Sequence, residues 1–248
     1  MEDSPLSLSK WLSAIWLVTN AKNGISSCEI ARAIGITQKS AWFMLHRIRT
    51  AYSDQPTELM GTVEADETYI GGLEKNKHKD KKQDVGGGTG GKEPVMGMIQ
   101  RGDTDKPSKA RVSHVDGATK EVLHGNITKH VMSGSELFTD SWKGYKGLPA
   151  EYVHEFVDHA VEYVRDSVHT NSLENFFCLL KRTIKGTYIA IDPAHLQKYL
   201  DEQVFRFNER KDNDAGRFVK AVGGVHGKRL TYKQLTTPSW FYGTQAAQ

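Results

Sequence analysis

Apolar positions recur along this chain first with a helical period and then with a strand period. Leu8, Leu12, Ile15 and Trp16 fall at i, i+4, i+7 and i+8, which predicts a helix with one apolar face. After Asn23-Gly24 a second, shorter helix runs through Ile34 and stops at Gly35, a residue suited to a left-handed cap. Thr37 can cap a third helix, on which Ala41, Met44, Leu45 and Ile48 share a face. At residues 62–72 the period changes to 2, and this stretch reads as a strand ending at Gly71-Gly72. Further strands are predicted at 95–100, at 110–115, in a short segment ending at Asp140, and at 152–157, with a helix over 118–131. A long helix over 171–185 buries Leu173, Phe176, Phe177, Leu180 and Ile184 beside a polar stripe of Asn171, Glu174, Cys178, Lys181 and Lys185. Asp192-Pro193 opens a last helix, through Leu196, Tyr199, Leu200 and Val204 toward Asn208. The tail from Lys211 reads as irregular. The expected organisation is a helical region at 1–55, an α/β domain with a mixed sheet at 56–212, and a tail at 213–248 with no assigned role.

Composition adds limits. The 248 residues, 38% of them hydrophobic, suffice for a real core. A net charge of +3 and a pI near 8.7 permit a nucleic-acid partner without demanding one. The two cysteines, Cys28 and Cys178, form no CxxC pair, so neither a zinc ribbon nor a disulfide framework can be built from them. The apolar run from Trp11 to Val18 is too short to span a bilayer, and Glu2 and Asp3 stand where a signal peptide would be basic. A cytoplasmic protein without a membrane partner is expected. Residues 73–93, rich in Lys and Gly, predict a flexible basic loop, and they contain no GxxxxGK[ST] phosphate-binding pattern.

Two groups of residues carry candidate chemistry. Small Ala31, the turn glycine Gly35 and the amphipathic helix after it describe a helix-turn-helix. Its second helix would offer Gln38 and Lys39 to base edges and Arg47 and Arg49 to phosphates, although a plain helical hairpin has the same pattern. The second group is acidic. Glu64 and Asp66 project from one strand face and should repel each other unless a proton or a cation intervenes; hard oxygen donors suit Mg2+ or Mn2+. An exposed acidic edge that only discourages aggregation is the alternative. Asp140 ends a strand, where open α/β sheets place ligand sites. Glu174 lies one turn into a helix with Lys181 on the same side, though Asn171 and Glu174 also have capping-box spacing. Three such carboxylates together can hold two divalent ions about 3.5–4 Å apart for in-line attack on a phosphodiester. Lys181 would then meet a phosphate as a point charge.

The stretches Val63-Glu64-Ala65-Asp66-Glu67-Thr68-Tyr69-Ile70-Gly71-Gly72, Thr139-Asp140-Ser141-Trp142-Lys143-Gly144-Tyr145 and His169-Thr170-Asn171-Ser172-Leu173-Glu174-Asn175-Phe176-Phe177 resemble those of bacterial insertion-sequence transposases of the DDE type. Lys181-Arg182 and Tyr199 to Asn208 extend the likeness, which covers most of the chain. The resemblance implies a ribonuclease H-like catalytic domain with Asp66, Asp140 and Glu174 as its acids and metal ligands, 33 residues lying between the last two. Some relatives use Asn or His as third ligand, which brings in Asn171 and His169. It further implies two Mg2+ ions, replaceable by Mn2+, and DNA substrates: transposon ends are cut, and the released 3′-hydroxyl attacks target DNA. A homo-oligomer pairing two ends near the nucleoid is expected by the same analogy. Family members commonly carry a zinc ribbon ahead of the helix-turn-helix, and this sequence is expected to lack it. Two other readings remain at this stage: a truncated, non-catalytic repressor that occupies transposon ends, and a metal-dependent nuclease that only cuts.

Overall fold

The computed structural model describes residues 4–54, 58–72, 90–104, 106–141, 143–157 and 169–237. Most of the loop expected at 73–93 lies outside them, and its last residue, Glu93, opens a strand. The chain divides into two compact units: 55–182, and a second made of 1–54 together with 183–248.

The unit at 55–182 is built on strands β1 (Thr62–Ile70), β2 (Glu93–Gln100), β3 (Lys109–His114), β4 (Glu136–Asp140) and β5 (Val153–Val157). They form one mixed sheet in the order β3-β2-β1-β4-β5. The pairs β1–β2 and β2–β3 are antiparallel, while β1–β4 and β4–β5 are parallel. The alternation of side chains along each strand gives the sheet two faces to cover. Helix α4 (Lys120–His130) covers one, with Leu123 and Ile127 packed in a core with Val63, Ala65, Met96, Met98 and Leu137. Helix α5 (Asn171–Thr183) covers the other with Leu173, Phe176, Phe177 and Leu180, each buried and worth roughly 1.5–3 kcal/mol relative to exposure.

Gly97 sets how closely α5 can approach. It pairs with Asp66 across β1–β2, and a Cβ placed there would lie 2.7 Å from both Leu173 Cδ1 and Phe177 Cζ. Gly97→Ala is therefore expected to cost about 1–3 kcal/mol in chemical denaturation, through overpacking. The cost should shrink when Leu173 is shortened to Val in the same chain. A Gly97→Ala protein as stable as the wild type would contradict the packing described.

The other unit holds α1 (Leu8–Asn20), α2 (Ser27–Ile34), α3 (Gln38–Arg49), α6 (Leu196–Asn208), α7 (Asp214–Gly223) and the short α8 (Tyr232–Thr236). Local chemistry marks their ends. Ser26 and Glu29 form a capping box at α2, Gly35 closes that helix at φ 62°, and the Thr37 side chain accepts the Ser40 N–H at the start of α3. The face expected for α1 is rotated. Leu8 and Trp16 remain 62% and 41% exposed, while Trp11, Ala14, Ile15 and Val18 are buried. The helix from 171 ends its α-form at Thr183 and continues as one π-helical turn to Tyr188. The described part of the tail is not irregular: α7 packs Ala221 and Phe218 into the core built by α1 and α3.

Two buried polar features stand out in this unit. Glu202 on α6 bonds Arg49 of α3 at 2.5 Å and also pairs with Arg206 and the Tyr188 hydroxyl. Arg49, expected at a phosphate, is 1% exposed with its guanidinium 3.9 Å from the centre of the Tyr199 ring; its charge is committed to the interior. His46 is fully buried among the rings of Trp42, His195 and Tyr199, and among the described residues neither ring nitrogen has a hydrogen-bond partner. Burial first, then the charges of Arg49, His195 and Lys198, lower its pKa to about 2. A histidine depressed in the folded state costs stability as pH falls below its unfolded value near 6.5, because only the unfolded chain takes up the proton. His46→Phe should therefore stabilise the unit by about 1 kcal/mol at neutral pH and flatten its loss of stability between pH 6.5 and 4.5. Urea denaturation across that range measures both, against the smaller contribution of His195, whose pKa is also lowered.

Candidate active site

The three acids come from three elements of the sheet unit. Asp66 lies within β1 and Asp140 ends β4. The parallel register Thr62↔Glu136, Val63↔Leu137, Glu64↔Phe138, continued by two residues, brings Asp66 level with Asp140 on neighbouring strands. Neighbouring strands lie about 4.8 Å apart, so the carboxylates crowd. Glu174 stands in the first turn of α5, over the face that Asp66 shares, and its carboxylate accepts the Thr170 hydroxyl at 3.4 Å.

The crowding has an electrostatic consequence. Burial, then the charges of Asp140 and Glu67 and, more weakly, Glu174, push the Asp66 carboxyl up to about 8, against a 2.8 Å hydrogen bond from the Glu67 N–H that favours ionisation. Glu67, held by the Tyr145 hydroxyl at 2.8 Å, is raised too, by burial and by Asp140. The repulsion expected between Glu64 and Asp66 lies elsewhere: the carboxylates that act most on Asp66 are Asp140 and Glu67. Glu64 is instead engaged by Arg101 and by the start of α5.

The remaining residues singled out in the sequence are placed as follows. Asn171 is exposed at the start of α5, and its N–H lies 3.4 Å from His169 Nδ1. That nitrogen also lies 2.8 Å from the Arg101 guanidinium. Lys181 is exposed on α5. In the helical unit, Gln38 is exposed and donates to the Ser27 hydroxyl at 2.8 Å, and Lys39 sits 5.4 Å from the centre of the Tyr232 ring. Arg47 is half-buried against the rings of Trp11 and Phe43. Sequence reasoning passed over Arg101, Glu67 and Tyr145. The Asp66-Glu67 doublet was the one available signal for the last two.

Hard carboxylate oxygens that raise one another's pKa are the donor chemistry a divalent cation relieves, so Asp66 and Asp140 fit such an ion. The third ligand is not drawn in: among the described residues no group of three or more His, Cys, Asp or Glu converges closely enough to hold a metal.

A mixed sheet in this order, helices on both faces and acids level with each other on adjacent parallel strands define a ribonuclease H-like fold. Residues 58–208 match the family described as the ISXO2-like transposase domain, and the chain belongs to that family of insertion-sequence transposases. It is also 25% identical over 213 residues, 80% of this chain and 69% of the relative, to an uncharacterized protein in transposable element ISH50 of Halobacterium salinarum. Transposases of this family act on DNA and generally use divalent metal ions. Among the described residues no helix is long and apolar enough to cross a membrane.

Proposed function

We propose that this chain is a catalytically competent DDE transposase that cuts transposon ends and joins them to target DNA. The observation that carries this reading is the level placement of Asp66 and Asp140 on adjacent parallel strands, with mutual charge crowding that a cation would relieve. In it Asp66 and Asp140 are shared metal ligands and Glu174, from the first turn of α5, completes the set. Mg2+, or Mn2+ in its place, supplies Lewis-acid polarisation and charge neutralisation at the phosphate. The protein's part is orientation. The adjacent strands β1 and β4 fix the first pair of carboxylates, and Lys181, two helical turns beyond Glu174, holds a neighbouring phosphate of the bound strand. The turn between α2 and α3 serves as a helix-turn-helix in which Gln38 and Lys39 read bases and Arg47 contacts the backbone. Residues 1–55 then form the DNA-binding region and 56–212 the catalytic domain, working in the cytoplasm as a homo-oligomer that pairs two ends.

The test incubates the full chain with labelled element ends, a supercoiled target and Mg2+ or Mn2+. Joined products are expected. Cut but unjoined DNA would reduce the activity to that of a nuclease, and binding without cutting or joining would favour a repressor.

A further inference from the structure

Glu64 precedes Asp66 by two residues, so both side chains leave the same face of β1. Its side chain is 0% exposed, and its carboxylate accepts four hydrogen bonds. Oε2 accepts the backbone N–H groups of Ser172 at 3.0 Å and Leu173 at 3.1 Å. Oε1 accepts the Ser172 hydroxyl at 2.9 Å and Arg101 Nε at 2.7 Å. Arg101 in turn donates to the His169 carbonyl at 2.8 Å and sits over the Phe138 ring, 4.8 Å from its centre.

A helix leaves its first N–H groups without intrahelical acceptors, and a residue just ahead of the helix usually supplies them. At α5 a strand residue 108 positions upstream takes the Ser172 N–H and shares the Leu173 N–H with the Thr170 carbonyl, which accepts it at 3.0 Å. Satisfying these two N–H groups therefore also locks the helix to β1. The residue directly after the capped pair is Glu174, and the residue two beyond Glu64 is Asp66.

We propose that Glu64 is a positioning residue: by capping α5 from β1, with Arg101 as its brace, it sets where the Glu174 carboxylate stands relative to Asp66. The proposal rests on the reading of Asp66, Asp140 and Glu174 as cation ligands. Only a carboxylate meets the need at this position, since it accepts at both oxygens; an amide would turn an NH2 group toward one pair of donors.

The test is Mn2+ binding to the full chain, followed by calorimetry, with urea denaturation on the same proteins. Glu64→Gln should weaken Mn2+ binding about 10–100-fold, as losses of outer-shell groups do. Glu174→Gln should also weaken it, and adding Glu64→Gln to Glu174→Gln should change Mn2+ affinity no further while still lowering stability. A purely structural role would not make the metal effect vanish in that background. Wild-type Mn2+ affinity in folded Glu64→Gln, or losses that simply multiply in the double variant, would overturn the proposal. Should Glu64→Gln fail to fold, Ser172→Ala removes only the hydroxyl bond to Oε1 and should weaken Mn2+ binding several-fold; unchanged affinity there would overturn it equally. Asp66→Asn separates the two levels. If that variant binds Mn2+ like the wild type, the ligand assignment itself fails; if it loses Mn2+ while Glu64→Gln keeps it, only the positioning role fails.

Discussion

Asp66→Asn should abolish strand transfer and, in the same protein, raise the melting temperature. The first effect follows from removing a proposed ligand of a site whose members would act as a unit, and a loss of at least about 10³-fold is expected. The second follows from the charge crowding around Asp66. A carboxyl whose folded pKa stands near 8, above its unfolded value of 3.8, costs stability once the pH exceeds the unfolded value, and the cost grows until the pH passes the folded one. At pH 7.5 without metal, the amide removes that cost and should add about 1–2 kcal/mol, or ~2–8 °C in a chain of this size. DNA affinity should be unchanged or higher, because a negative charge near phosphates has gone. Differential scanning calorimetry and a strand-transfer assay on one preparation measure both. A variant that is inactive and less stable would make Asp66 a structural residue, and the proposed site would be lost with it.

Glu202→Ala should be the most damaging single change in the helical unit. Burial by itself would raise the Glu202 carboxyl, but the Arg206 and Arg49 guanidiniums and the Tyr188 hydroxyl bond hold it down to about 2. Removing the acid leaves two buried guanidiniums without their counter-charge, and breaking such a cluster costs about 3–5 kcal/mol. Replacing all three charges together, as Arg49→Met, Glu202→Leu and Arg206→Met, should cost far less, because no buried charge is then left unpaired. The pH dependence has a fixed sign. The folded pKa is depressed, so the stabilisation is complete above the unfolded value of 4.5 and is lost as pH falls toward 2. Urea denaturation of the single and triple variants decides the matter: equal losses in the two would show that the cluster contributes packing rather than charge pairing.

Much of the sheet unit was legible from period alone, because alternation along β1 and the short apolar run of β4 each have one strand reading. The helical unit was less so. On α1 the large residues Leu8 and Trp16 attract a pattern argument, yet small Ala14 and Val18 line the buried seam, where close packing favours them. Helix α7 is interrupted by Gly216 and ends at Gly223, so its short apolar face looked like loop. Arg49 read as a phosphate contact because its partner, Glu202, lies 153 positions away in the sequence. Glu64 carried a similar ambiguity. Spacing put it on the face of Asp66, but only the position of α5 reveals that its carboxylate serves a helix start. The capping-box spacing of Asn171 and Glu174 was a local solution to the same need, and the N–H groups of Ser172 and Leu173 are met by Glu64 from β1 instead.

The helical unit is discontinuous in sequence, and this bears on how the protein is made. Helices α1–α3 leave the ribosome first, but Ala221 and Phe205 of their shared core, and the counter-charge of Arg49, are synthesised last. At about 5–20 residues per second, Arg49 waits on the order of 10 s for Glu202. A nascent or prematurely ended chain thus carries the core of α1–α3 without Ala221, Phe205 and Phe218 packed on it, and Arg49 without its counter-charge. A chain ended before α6 is therefore expected to hold its first three helices less firmly than the finished unit does, because a buried guanidinium is left unpaired.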